Sequence, residues 1–180
     1  MPWNSGSFIG TMTSWFSSLS DKTETQTAQT IAQAYSSAAV TTQTFFGSLP
    51  ILVGPISGIE QGFLESFNSA KEIEEGEPEV NIWLSAASSI ITYWTGAQFL
   101  PLPPPPGGSS GNTNTVLIPG IPLTLATDLK TAFSQDTPTD AATQLNQAFV
   151  NHLTTIQGLW VGQTSSSPPT PFSFPWVSLT

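Results

Sequence analysis

Cysteine and arginine are both missing from this chain, and histidine occurs once, at His152. Without cysteine there is no disulfide, no thiolate metal site and no thiol nucleophile. Without arginine, positive charge rests on Lys22, Lys71 and Lys130, against 12 acidic residues and a net charge of −9. A nucleic-acid binder must displace counterions from phosphates, and so few cations make no basic patch. An anionic bilayer surface is disfavoured for the same reason. No apolar run approaches the roughly 18–20 residues of a spanning helix. Met1-Pro2-Trp3-Asn4-Ser5 has neither a basic start nor a long apolar stretch. No secretory signal is expected there, and the chain is read as made in a cytoplasm.

Charge of both signs is scarce, at 8% of residues, so Ser, Thr, Gln, Asn, Gly and Pro carry the polarity. Such a surface adheres to neighbours more readily than a charge-studded one. The 180 residues suit one domain with tails. We expect an arm over 1–20, a helical domain over 21–158 with a Pro/Gly-rich loop at 101–114, and an extended tail over 159–180.

Hydrophobic spacing predicts a mainly α fold of about five amphipathic helices. Asp21 and Glu24 read as a start signal for a helix that runs to about Phe46. Ala28, Ile31, Tyr35, Ala38 and Thr42 share one face of it. A second helix over 56–70 buries Ile56, Ile59, Phe63 and Phe67. The third runs from Asn81 to about Leu100 and aligns Trp83, Ala87, Ile90, Ile91 and Trp94. Two indoles on one stripe make a large apolar surface that something must cover. Pro122 opens a fourth helix with Ala126, Leu129 and Phe133 inward. Thr137, Pro138 and Asp140 cap a fifth that ends near Gly158.

Two short apolar runs, Ile51–Val53 and Thr115–Ile118, are expected to form one small two-stranded β element. Each sits between a break and a helix start, as in a weak internal repeat. Pro101 to Pro106 reads as a stiff extended strut. The acidic stretch 72–79 reads as an exposed loop, without the ligand ladder of a calcium site. In the arm, Phe8, Met12, Trp15, Phe16 and Leu19 fall at helical spacing, so a short helix can form there. The tail is rich in Pro, Phe and Trp and is expected to be pinned, on its own domain or on a partner.

Catalytic chemistry is hard to place. His152 reads as a boundary histidine with one hydrogen-bonded nitrogen, lacking a nucleophile partner. Glu60 and Glu65 share a helix five residues apart and so do not face one cleft, which is poor geometry for a paired-carboxylate hydrolase. Asp128, Asp136 and Asp140 suit caps and helix faces. Gly107 to Gly111 lacks the lysine of a phosphate loop. We therefore expect no enzyme, no cofactor and no metal.

Tyr93-Trp-Thr-Gly96, the Pro/Gly loop, Asn114 to Gly120, the alanine-bearing helix to Gly158 and the Phe-Pro-Trp ending resemble small virion proteins of tailed bacteriophages. Those are neck, tail, baseplate or capsid-surface subunits. The resemblance covers about half the chain. It implies a structural subunit of a virion, assembling with copies of itself and with other virion proteins, with no direct nucleic-acid or membrane partner. Trp15, Phe16, Phe172, Phe174 and Trp176 are the candidate interface anchors, because buried aromatics dominate interface energy. Deleting 168–180 is then expected to spare the helices and abolish assembly. The alternative is a non-catalytic binding module that takes a glycan or protein on surface aromatics such as Trp83 or Trp94.

Overall fold

Six helices and a five-stranded antiparallel sheet make up the computed structural model. It describes residues 3–44, 48–72, 79–100, 108–164 and 171–180, with backbone alone at 108–112, 164, 171, 172 and 174. The mainly helical character matches the sequence reading. The helix count is one higher than expected, and the sheet is larger than two strands.

The added helix is α1, Ser5–Phe16, inside the expected arm. Asn4 caps it by accepting the Ser7 N–H at 3.1 Å, and Phe8, Met12 and Phe16 are its buried positions. After a 3-10 turn over Leu19–Asp21 comes α2, Glu24–Ala39. Its cap is Thr23 rather than Asp21. The Thr23 hydroxyl accepts from Gln26 N–H and the Gln26 side chain returns to Thr23 N–H, closing a capping box. The helix stops at Ala39, short of Phe46.

Strand β1, Pro50–Leu52, then leads into α3, Ile56–Glu72. The expected central helix starts later and ends sooner. Glu79–Trp83 is a 3-10 turn, α4 spans Leu84–Trp94, and Gln98–Phe99 is already strand β2. No side chain of its own caps α4. Ser66 of α3 supplies the acceptor instead, taking the Ala86 N–H at 3.1 Å. A helix end buried without a cap needs such a partner.

Strand β3, Gly108–Ile118, includes residues read as a glycine-serine loop. Helix α5, Pro122–Phe133, and helix α6, Pro138–Thr155, follow, with proline in the first turn of each. Thr137 caps α6 as expected, accepting the Asp140 N–H at 3.1 Å. Gly158 lies beyond the helix end, in β4, Gln157–Thr164. Strand β5, Pro171–Val177, completes the sheet. The expected strut at 101–106, most of the acidic loop (73–78) and residues 165–170 lie outside the described residues.

Strand order is β1-β2-β3-β4-β5, all antiparallel. The two strands foreseen from sequence are therefore not partners, because β2 lies between them. Each is the first strand of a β-α-α-β unit. In the first unit, β1 and β2 flank α3 and α4; in the second, β3 and β4 flank α5 and α6. Equivalent junctions repeat a close approach. Gly54 donates its N–H to Tyr93 O at 2.8 Å at the end of α4. Gly120, at φ +107°, lies against His152 near the end of α6. The weak repeat in sequence is thus a repeat in the fold.

Aromatic rings hold the layers together. Trp83 stacks on Phe133 at 4.2 Å, and Trp94 stacks on Phe99 at 6.2 Å while donating to the Tyr35 hydroxyl at 2.6 Å. The indole stripe of α4 is thus covered by its own chain. Trp3, Phe8, Tyr35 and Phe149 form a second aromatic knot, where Trp3 Nε1 donates to Asn146 Oδ1 at 2.8 Å. Pairing the buried indole N–H groups of Trp94 and Trp3 avoids the cost of an unpaired donor at these positions.

Candidate functional site

An all-antiparallel sheet sends alternate strands in the same direction, so β1, β3 and β5 finish at one end. Aliphatic side chains gather there. Leu52 is 55% exposed, Leu117 62% and Val177 61%. Ile118 is exposed beside Leu117. The first turns of the following helices extend the patch through Ile56, Ile121 and Leu123, all exposed. Single exposed aliphatics are ordinary; a run of them at one end of a sheet makes that end the candidate interaction surface.

Local sequence explains why they stay outside. Along β4 the burial alternates, with Gly158, Trp160 and Gly162 inward and Gln157, Val161 and Gln163 outward. The inner face is filled by Phe99, Val116, Trp160 and Trp176 over the helices. Leu52 pairs with the exposed Gln98, and Val177 with the exposed Gln157. Register therefore commits Leu52 and Val177 to the outer face. Ile121 and Leu123 flank Pro122, which starts α5 and turns the chain before either can fold inward.

This rim carries no formal charge. Residues 80–127 contain no Asp, Glu, Lys or Arg, and none occurs in any of the five strands. The three lysines lie elsewhere and are engaged. Lys22 stands 5.0 Å over the Trp15 ring, Lys71 pairs with Glu24 at 2.7 Å, and Lys130 pairs with Glu79 at 2.8 Å. Hydrogen bonding to Lys71 holds the Glu24 carboxyl below its ordinary range.

Two of the five aromatic anchors expected from sequence, Phe16 and Trp176, are buried within the chain itself. Phe16 is buried against Phe133, and Trp176 is only 3% exposed, donating to Asn114 Oδ1 at 2.7 Å. Trp15 is half-buried on α2, with Nε1 3.3 Å from Thr27 Oγ1. Backbone register pairs Phe174 with Trp160 and Phe172 with Gly162, and their side chains lie outside the described residues. The tail is pinned on its own chain. Leu179 is buried, and Gln43 and Thr180 exchange backbone hydrogen bonds of 2.8 and 3.0 Å. Sequence reasoning missed the rim. Its signal was present in Leu117-Ile-Pro-Gly-Ile-Pro-Leu123, seven residues without a polar side chain.

No acid-base set assembles from the candidates weighed above. Glu60 accepts from Gln29 at 2.9 Å, Glu65 from Gln61 at 3.0 Å, and Asp128 from Asn151 at 3.1 Å. His152 is not at a boundary. It is 4% exposed, its Nε2 has no partner, and burial pushes its pKa down to about 4. Among the described residues, no three His, Asp or Glu groups lie close enough to hold a metal ion, and no helix is long and apolar enough to cross a membrane. Trp83 and Trp94, considered as glycan platforms, are buried and offer no free face to a sugar.

No family model, no curated protein and no solved structure matches this chain.

Proposed function

We propose that this chain is a non-catalytic structural subunit, of the kind found in tailed-phage virions, that packs against neighbouring chains through the sheet-end rim. The observation that carries the reading is the cluster of Leu52, Ile56, Leu117, Ile118, Ile121, Leu123 and Val177, exposed on a side without charge. The resemblance to small phage virion proteins supports the setting, a particle assembled after synthesis in a host cytoplasm. The neighbours are further copies of the chain and other virion proteins.

Magnitudes set what such a contact can do. Fully burying a Leu or Ile gains about 1.5–3 kcal/mol, so each half-exposed rim residue offers about 1 kcal/mol. Two such rims meeting release roughly 14 kcal/mol, the same order as the ~4–15 kcal/mol of freedom lost on association. One contact alone is therefore weak. Stable assembly needs each subunit to touch several neighbours at once, as in a ring or a clad surface.

The test is solution mass by size-exclusion chromatography with light scattering, for the chain alone and mixed with other proteins of its particle. A discrete oligomer or a co-migrating complex supports the reading, provided that Leu52→Ser with Leu117→Ser disperses it and leaves the circular dichroism unchanged. A chain that stays single in both experiments sinks it.

A further inference from the structure

Residues 117–124, which join β3 to α5, are lightly fastened. None of them is buried. The ladder between β3 and β4 is irregular between Val116 and Ile118. Ile121, the residue before α5, offers the helix no side-chain cap. A segment with little burial and few internal bonds opens at lower cost than the core around it. What this one rests on is His152. A Cβ on Gly120 would meet Cε1 of the imidazole and would stand 2.7 Å from Nδ1. Gly120 has φ +107°, so the turn reaches the ring in a conformation that suits glycine.

We propose that the contact between Gly120 and His152 is an acid-weakened latch. With the imidazole neutral, the turn closes over it. On proton uptake the turn lifts away, together with Leu117, Ile118, Ile121 and Leu123, while the rest of the fold stays in place. The latch is a property of the single chain and does not depend on what the rim binds.

The surroundings offer a cation nothing. His152 is buried and its Nε2 has no partner. Helix α6 packs against α1 and α5. Helix α1 has no titratable side chain, and α5 has only Asp128 and Lys130. Asp128 accepts from the exposed amide of Asn151, and Lys130 pairs with Glu79. Residues 117–124, the five strands and residues 178–180 carry no titratable side chain. On α6 itself the other such group is Asp140, at the opposite end of the helix.

Carbonyl groups at a helix C-terminus would suit an imidazolium. Here they are already engaged. The His152 carbonyl oxygen accepts from Thr155 Oγ1 at 2.7 Å, and that of Leu153 accepts the Leu179 N–H at 2.9 Å. A protonated ring therefore reaches a partner, water, by displacing the turn that covers it. The first β-α-α-β unit has no such device. There Gly54 donates its N–H to the Tyr93 backbone oxygen, and a tyrosine side chain stays neutral in acid.

The test is native-state hydrogen exchange on the full chain at pH 7 and pH 5, corrected for the intrinsic effect of pH on amide exchange. With the turn open the ring takes its proton at the ordinary value of 6.5, and with the turn closed at about 4. Opening should therefore become roughly twentyfold more frequent between pH 7 and pH 5. Amides from Leu117 to Leu125 should show less protection than Ile31 and Ala32 of α2. Their exchange should also change little in urea below the unfolding transition, because local opening exposes little surface. His152→Gln should keep this low protection and lose its pH dependence. Gly120→Ala, which crowds the ring, should leave the segment open at pH 7 with helical circular dichroism retained. Protection and urea dependence equal to those of α2 overturn the latch, because the proton then acts only through global unfolding. An unchanged pH dependence in His152→Gln overturns it as well. If that variant does not fold, proton NMR of the single histidine in the wild-type chain decides: a midpoint at the ordinary 6.5 overturns the latch, and a lower one shared with the exchange of this segment supports it.

Discussion

Trp176 lies over Gly158, its cross-strand partner, with the six-membered edge of the indole where a Cβ on Gly158 would stand. The same indole donates to Asn114 on β3, so one side chain links β5, β4 and β3. Gly158→Ala is expected to force the ring out of place and to cost about 1–3 kcal/mol, as overpacking does. Trp176→Phe leaves the buried Asn114 carbonyl without its donor and opens space, for a loss of about 2–4 kcal/mol. Urea unfolding followed by far-UV circular dichroism measures both. Wild-type stability in either variant would mean that the indole is not part of the core.

The tail as a whole follows the same logic. Removing 168–180 deletes β5, the buried Trp176 and Leu179, and the Gln43–Thr180 pairing. Read as a docking arm, the tail would be dispensable for folding. Placed in the sheet, it is not. We expect the truncated chain to lose cooperative unfolding, scored by a broad thermal transition and by rapid proteolysis. A sharp transition at the wild-type temperature would return the tail to the role of an arm.

Gly58 and Gly62 lie one turn apart on α3 and should respond with opposite sign. Gly58 is exposed with nothing within 4 Å of an added Cβ. Gly58→Ala is expected to stabilise by about 0.5–1 kcal/mol, the intrinsic helix preference of alanine. At Gly62 an added Cβ meets the Ser89 side chain and the Ser85 carbonyl oxygen of α4, the latter at 2.7 Å. Gly62→Ala must separate the helices and strain the Ser66–Ala86 cap, losing about 1–3 kcal/mol. Thermal melts of the two variants decide this. Shifts of the same sign would show that α3 and α4 do not approach so closely.

Acid should weaken the protein through His152. Its folded pKa of about 4 lies below the ordinary value of 6.5, because burial penalises the imidazolium. The native state therefore keeps it neutral while the unfolded chain takes up a proton. That contribution to stability is fully present above pH 6.5 and falls as pH drops towards 4. Between about pH 7 and pH 5 the loss should reach roughly 2 kcal/mol. His152→Gln cannot ionise, so its urea midpoint should change much less over this window. An equally steep pH dependence in that variant would assign the loss to other groups.

Several elements were legible along the chain because they depend on neighbours three or four residues away. The stripe Ile59, Phe63 and Phe67, the Thr137–Asp140 cap and the proline starts of α5 and α6 are of this kind. The repeat was visible as two apolar runs before helices, Ile51 to Ile56 and Val116 to Ile121. Its meaning was not, because β2 is two residues long and has no pattern of its own. The rim was missed for a related reason. Leu52, Leu117 and Val177 look like core residues until strand order places them together on an outer face.

What the sequence alone determined is chemical exclusion and local form. It supplies no cysteine, no arginine, one histidine and almost no positive charge. It also supplies helix-period stripes that bury themselves wherever they pack. Only the tertiary structure decided which apolar residues remain outside. It drew Phe16 and Trp176 inward and left the aliphatic ends of β1, β3 and β5 in solvent. The physical reason is that hydrophobicity is a property of each residue, whereas burial depends on strand order and register. A strand of alternating face is inward or outward only relative to a neighbour that lies far away in the chain.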